Sequence, residues 1–197
     1  MDKLSARSTI CQQFIEGKPF PVRCPSLEIS ELPLAGIIRL QGKGNDPLFQ
    51  AAVSAALALS LPAPESVSGT GDVQIAWTGP NEWLCFCPLS KEESCLGALT
   101  DAVAGQFATV TLVSDSRIGL VVTGQDAAAL LSKGCAIDLH PVAFPVGHVV
   151  TTRFAGLPSM LTGRSASAYV LYFDVGSTEY MLNWIIDAAD EFVALSS

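Results

Sequence analysis

The spacing of apolar positions changes along this chain, and the changes mark out its elements. LAGIIRLQG, from Leu34, reads as a strand, and DPLFQAAVSAALAL after it has helical spacing with Asp46 as N-cap and Pro47 in the first turn. DVQIAWTG and EWLCFCP are two strands joined by Gly79, Pro80 and Asn81, a hairpin turn by composition. Alternation in EWLCFCP turns Trp83, Cys85 and Cys87 to one face and Leu84 and Phe86 to the other. SKEESCLGALTDAVAGQF opens with Ser90 and Glu93 at the spacing of a capping box and reads as a helix; ATVTLVSDS, rich in β-branched residues, reads as a strand. The order βαββαβ predicts a ferredoxin-like unit with both helices on one face of an antiparallel sheet.

The pattern then begins again. RIGLVVTGQDAAALLSKG repeats LAGIIRLQGKGNDPLFQAA, and SAYVLYFDVGSTEYMLNWIIDAAD echoes NEWLCFCPLSKEESCLGALTDAV. An offset of roughly 80 to 90 residues gives two related halves and no solenoid. The expected fold class is α+β, with two pseudo-repeated ferredoxin-like halves, 34–116 and 117–197, packed as one compact unit. The second half carries extra extended segments, GHVVTTRFAG and LPSMLTG, so its sheet is expected to be the larger. Residues 1–33 have no sustained period and carry Pro19, Pro21, Pro25 and Pro33, which predicts an irregular N-terminal arm. Two readings of that arm are open: a frayed terminus, or a segment lying along a partner.

Composition adds a reason to expect partners. Of the 197 residues 49% are apolar and only 15% charged, and mean hydropathy is +0.40. An ordinary soluble domain is about a quarter charged, so part of this surface is expected to be apolar and covered by a permanent interface. The membrane is not the expected cover. The longest apolar run, LFQAAVSAALALSL, is about 14 residues and includes Gln50, Ser54 and Ser60, whereas a span needs about 20. No signal or lipidation pattern is present, and the expected compartment is cytoplasmic. A net charge of -8, a pI near 4.6 and the lack of a basic stripe exclude nucleic acid as a partner. The six cysteines, Cys11, Cys24, Cys85, Cys87, Cys95 and Cys135, include no C-x-x-C and are read as reduced thiols.

Acid-base chemistry near neutral pH is concentrated in KGCAIDLHPVAFPVGH, which holds both histidines of the chain, His140 and His148. Lys133 and Gly134 read as a helix C-terminus with a left-handed glycine cap, and Pro141 and Pro145 stiffen the connector that follows. Metal binding fits poorly: the spacing matches neither paired histidines on a helix nor paired thiolates. A Cys-His nucleophile pair lacks an orienting third group, and Cys135 sits at the wrong end of a helix for its thiol to be activated. Asp138 and His140 are therefore expected to hydrogen-bond the loop or face another protein.

No phosphate-cradling glycine loop and no G-x-S-x-G is present. Arg117, in SDSR, is expected in a local turn bond or, more rarely, as a ligand-binding arginine. In the last helix Met181, Leu182, Trp184, Ile185 and Ile186 are too many for one stripe, so something besides its own sheet is expected to cover part of it, Trp184 included.

WTGPNEWL, SDSRIGLVVTGQDAAALLSKGCAIDLHPVAFP and YMLNWIIDAA resemble the gamma subunit of heterotetrameric sarcosine oxidase over roughly Leu34 to Ala189, most specifically in LSKGCAIDLHPVAFP. VTGQDAAALL is also similar to a wider family, the folate-dependent aminomethyltransferases of glycine cleavage. The resemblance implies a complex that oxidises sarcosine to glycine, passes the one-carbon unit to tetrahydrofolate and makes hydrogen peroxide. It implies alpha, beta and delta subunits as partners, with FAD, FMN, NAD and tetrahydrofolate held there and no cofactor or metal in this chain.

One departure from the wider family bears on catalysis. Those transferases carry an essential carboxylate on a glycine-rich strand after this helix, whereas FAGLPSMLTGRSASAYVLYF has no Asp or Glu. The first half also lacks the insertions that would wall in a pterin. The expectation is a non-catalytic structural subunit, with Arg117, Asp138, His140 and Trp184 as candidate interface or ligand contacts. The alternative is a stand-alone folate-binding or regulatory module; a residual transferase would need a carboxylate or His140 to reach the pterin.

Overall fold

The computed structural model describes residues 7–8, 10 and 17–194, which divide into two compact units. The first comprises Ala35–Asp115 with Gly147–Thr151; the second comprises the described residues through Leu34, Ser116–Val146 and those from Thr152 onward. Both are mixed α and β, each with its own sheet.

In the first unit β3 (Ala35–Gln41), α1 (Pro47–Leu57), β4 (Val67–Ser68), β5 (Gln74–Gly79), β6 (Glu82–Pro88), α2 (Glu92–Ala102) and β7 (Thr109–Leu112) follow in order. The sheet runs β4-β5-β6-β3-β7, antiparallel at every pairing. Helix α1 starts as its sequence dictates: the Asp46 side chain accepts from Leu48 N–H at 2.9 Å, Pro47 occupies the first turn, and the helix stops at Ala58 in the left-handed region. Trp83, Cys85 and Cys87 join Ile38, Leu40, Phe49 and Leu99 in the core, as alternation predicts.

Helix α2 departs from expectation at both ends. A 3-10 turn over Leu89–Lys91 precedes it, and no side-chain cap bond forms at Lys91, so Ser90 and Glu93 do not make a capping box. The tertiary structure ties this end down another way. Ser114 Oγ donates to Glu92 Oε2 at 2.5 Å and accepts from Ile37 N–H at 2.8 Å, stapling the helix start to β3. The helix ends at Ala102, and turns around Gly105, whose φ is 78°, lead into β7.

In the second unit β1 (Val22–Cys24), β2 (Leu27–Glu31), β8 (Arg117–Thr123), α3 (Ala127–Gly134), β9 (Val149–Phe154), β10 (Leu157–Ser165), β11 (Ala168–Asp174) and α4 (Thr178–Ala194) build a sheet in the order β1-β2-β8-β11-β10-β9. This corrects the expectation of an irregular arm over residues 1–33. Val22 pairs with Ile29 and Cys24 with Leu27 in a hairpin, and Glu28–Glu31 lie antiparallel to Leu120–Thr123. Leu27 and Ile29 are buried because β8 offers them a half-open edge. The first residues of that arm lie outside the described ones.

The boundary expected at residue 116 also changes, because the chain returns to the first unit at Gly147–Thr151, where Gly147 O accepts from Val67 N–H at 3.1 Å and Val149 N–H donates to Glu65 O at 3.0 Å. Gly124 lets the β1–β2 turn close on the start of α3: its φ is 117°, and a Cβ there would lie 2.2 Å from Ser26 O. Asp126 N–H donates to the same oxygen at 3.1 Å.

Candidate partner-contact site

The connector between α3 and β9 is seated from below and bare on top. Leu139 and Phe144 are buried; the Phe144 ring packs 6.1 Å from that of Tyr169 on β11, and Tyr169 Oη donates to Leu139 O at 3.5 Å. Between these anchors the polar groups shape the turn. Asp138 Oδ1 accepts from His140 N–H at 2.9 Å, His140 Nδ1 accepts from Val142 N–H at 3.3 Å, and His140 O accepts from Ala143 and Phe144 N–H, both at 2.8 Å. With Nδ1 accepting, a neutral His140 carries its proton at Nε2. Both side chains are exposed and spent on local structure. The tip they support is apolar: Val142 is 86% exposed and Val146 64%.

The other candidate groups have partners of their own. His148 belongs to the first unit, where Nε2 lies 3.9 Å from Glu65 Oε2, while His140 belongs to the second. Cys135 Sγ donates to Leu131 O at 3.4 Å. Among the described residues no group of three or more His, Cys, Asp or Glu could hold a metal ion. Cys24, Cys85, Cys87, Cys95 and Cys135 are free thiols; Cys11 lies outside the described residues. Arg117 opens β8 half-buried, across from Asp174 of β11.

Trp184 is also half-buried. Its ring stands edge-on to Phe154, 5.0 Å between centroids at 78°, so a neighbour within the same unit takes up one face of the crowded helix. Lys133 holds the far end of α4: Nζ donates to Ala188 O at 2.7 Å, pairs with Glu191 at 2.5 Å and sits 4.7 Å over the Phe192 ring. Lys18 pairs with Asp187 on the same helix. Tyr180 remains half in solvent and donates to Ala155 O at 2.9 Å.

Gly134 is not the left-handed cap that its position after Lys133 suggested. It is the last residue of α3, and Cys135 beyond it is extended at φ -141°. Strand β10 carries Ser159 and Thr162 as its buried polar groups, and no Asp or Glu occurs from Phe154 to Phe173.

The sarcosine oxidase, gamma subunit family matches residues 41–191. A sarcosine oxidase subunit gamma from Arthrobacter sp is 33% identical over 73% of this chain and 71% of its own. One from Corynebacterium sp. (strain P-1) is 27% identical over 98% and 95%. Among solved structures, a chain of the heterotetrameric sarcosine oxidase from Corynebacterium sp. U-96, in complex with pyrrole 2-carboxylate, superposes with a TM-score of 0.81 at 26% identity over 91% of both chains. The glycine cleavage system aminomethyltransferase T from Bartonella henselae shares the fold, with a TM-score of 0.60 at 13% identity over 83% of this chain and 46% of that one. Among the described residues no helix is long and apolar enough to cross a membrane.

Proposed function

This chain belongs to the sarcosine oxidase gamma subunit family, and we propose that it serves as the structural, non-catalytic gamma subunit of a heterotetrameric sarcosine oxidase. The observation that carries this reading is the superposition over 91% of both chains on a member of such a complex. Alpha, beta and delta subunits are the proposed partners. FAD, FMN, NAD and tetrahydrofolate belong to them in this reading, and this chain braces the assembly in the cytoplasm. The missing carboxylate on β10 and the spent side chains of the connector support a role without chemistry of its own.

The finer fold assignment is part of the same proposal: both units are read as ferredoxin-like and related by duplication. In support, β3-α1-β5-β6-α2-β7 and β8-α3-β10-β11-α4 share one element order, and β2 lies beside β8 as β7 lies beside β3. The second unit thus draws its fourth strand from the segment that precedes it.

Co-expression of the tagged chain with its three partners tests the subunit role by native mass and visible absorbance. A particle several times 20.7 kDa that carries flavin absorbance is the expected result. A lone, colourless chain that binds a pterin would overturn it in favour of a folate-binding module.

A further inference from the structure

The two sheets have four edges, and three are blunted in the ways that keep strands from pairing with strangers. Strand β1 has three residues and an exposed arginine, Arg23, beside Glu28; β4 has two residues; β9 carries the exposed Arg153. Strand β7, four residues long, carries no charged residue. From Gln106 to Ser114 the chain reads QFATVTLVS, without a charge or a proline and rich in β-branched residues.

The backbone of this edge is presented outward. Val113 N–H donates to Ile37 O at 2.8 Å, and alternation along the Ile38↔Leu112 to Gln41↔Thr109 register turns the N–H and C=O groups of Val110 and Leu112 away from β3. Thr109, Thr111 and Leu112 are exposed, Leu112 by 43%. Just before the strand the Phe107 ring is 100% exposed, beside a cavity of about 630 Å³ bounded by Gln41, Lys43, Pro80, Asn81, Glu82 and Thr109. A strand edge left unpaired among the described residues, a fully exposed aromatic ring and an adjoining hollow lie in one unit.

We propose that β7 is a docking edge, and that an extended segment of a sister subunit adds to it as a sixth strand and seats a side chain in the hollow beside Phe107. The inference rests on the subunit role proposed above. Outward N–H and C=O groups are complementary to another extended backbone, the run from Gln106 to Ser114 offers that backbone no charge, and Lys43 and Glu82 at the hollow favour a polar or uncharged side chain there. A second copy of this chain is the poorer occupant, because each copy carries a net charge of -8 and two would repel.

The test uses the full chain co-expressed with its partners, in four forms: wild type, Phe107→Lys, Leu112→Pro and Leu48→Lys. Leu112→Pro deletes an outward donor and leaves every bond to β3 in place; Leu48, exposed on α1, is the control. Thermal unfolding of each isolated variant checks that it folds. Phe107→Lys and Leu112→Pro are expected to unfold like wild type and to bind the partners at least tenfold more weakly, with Leu48→Lys unchanged. Hydrogen exchange is expected to show the Val110 and Leu112 amides protected in the complex and open in the free chain.

If Leu112→Pro does not fold, Phe107→Lys and the exchange pattern decide. Normal assembly of Phe107→Lys with open amides would overturn the edge proposal and leave the subunit role standing. Failure of wild type to assemble would overturn both. A dimer of this chain that protects those amides would replace the sister subunit by a second copy and overturn the choice of occupant.

Discussion

The ring of Phe154 fills the space that a side chain on Gly134 would need: a Cβ there would lie 2.5 Å from two ring carbons. The glycine is required for this close approach and not for its backbone angle. The sign of one substitution separates the two causes. Helix propensity alone would make Gly134→Ala favourable by up to about 1 kcal/mol. Overpacking costs about 1–3 kcal/mol, so a net loss of about 1–2 kcal/mol is expected in urea unfolding. Phe154→Leu in the same background should recover part of it, because the ring is what the new methyl meets.

Ser114 joins two elements through one hydroxyl, and its loss should be felt by both. Ser114→Ala leaves the Ile37 N–H without its 2.8 Å acceptor and Glu92 without its donor. A loss of about 1–3 kcal/mol is expected by chemical denaturation. Glu92→Gln keeps an acceptor at the helix start and should cost less than about 1 kcal/mol.

Burial pushes the Cys85 thiol up to about 12, with Cys87 and Cys95 nearby adding to the effect; burial does the same to Cys87. Both should stay unlabelled by iodoacetamide at pH 8 in the folded chain and react after denaturation, as mass spectrometry would show. The linkage has a definite sign. Between the unfolded value near 9 and the folded value near 12 the unfolded chain has released these protons and the native one keeps them. Stability is therefore full below pH 9 and falls as pH rises toward 12. Cys85→Ala should flatten that fall in denaturation curves taken at successive pH values.

The connector tip offers a direct check on the contact role of Asp138 and His140. Asp138→Ala removes one exposed hydrogen bond and should lower stability by about 0.5–1.5 kcal/mol. Val142 is 86% exposed, so Val142→Asp should leave the unfolding curve unchanged. Both are expected to weaken assembly with the partner subunits in co-purification, the first by loosening the tip and the second by charging it. Unchanged assembly in both would restrict the connector to folding.

Much of this protein was legible in local pattern. Asp46 and Pro47 start α1 as written, and the alternation of Trp83, Cys85 and Cys87 places all three in the core. Such features need only residues within a turn or a strand of each other, which is why sequence alone determined them. The expectation failed wherever a distant partner decides. Leu27 and Ile29 alternate across Glu28, but five residues are too few to signal a strand until β8 supplies an edge. Ser90 and Glu93 carry a capping box that never forms, because Ser114, far along the chain, holds the helix start through Glu92.

The candidate site divides along the same line. The sequence leaves Asp138 and His140 either to hydrogen-bond the loop or to face another protein, and the structure shows the loop bonds of both. That His148 belongs to a different unit, that Gly134 makes room for Phe154, and that β7 is an edge among the described residues could come only from the tertiary structure. Sequence specifies what each short segment is able to become, through periodicity and turn chemistry. Which segments meet, and which edge is left without a neighbour, is settled by burial and hydrogen bonding between residues far apart in the chain.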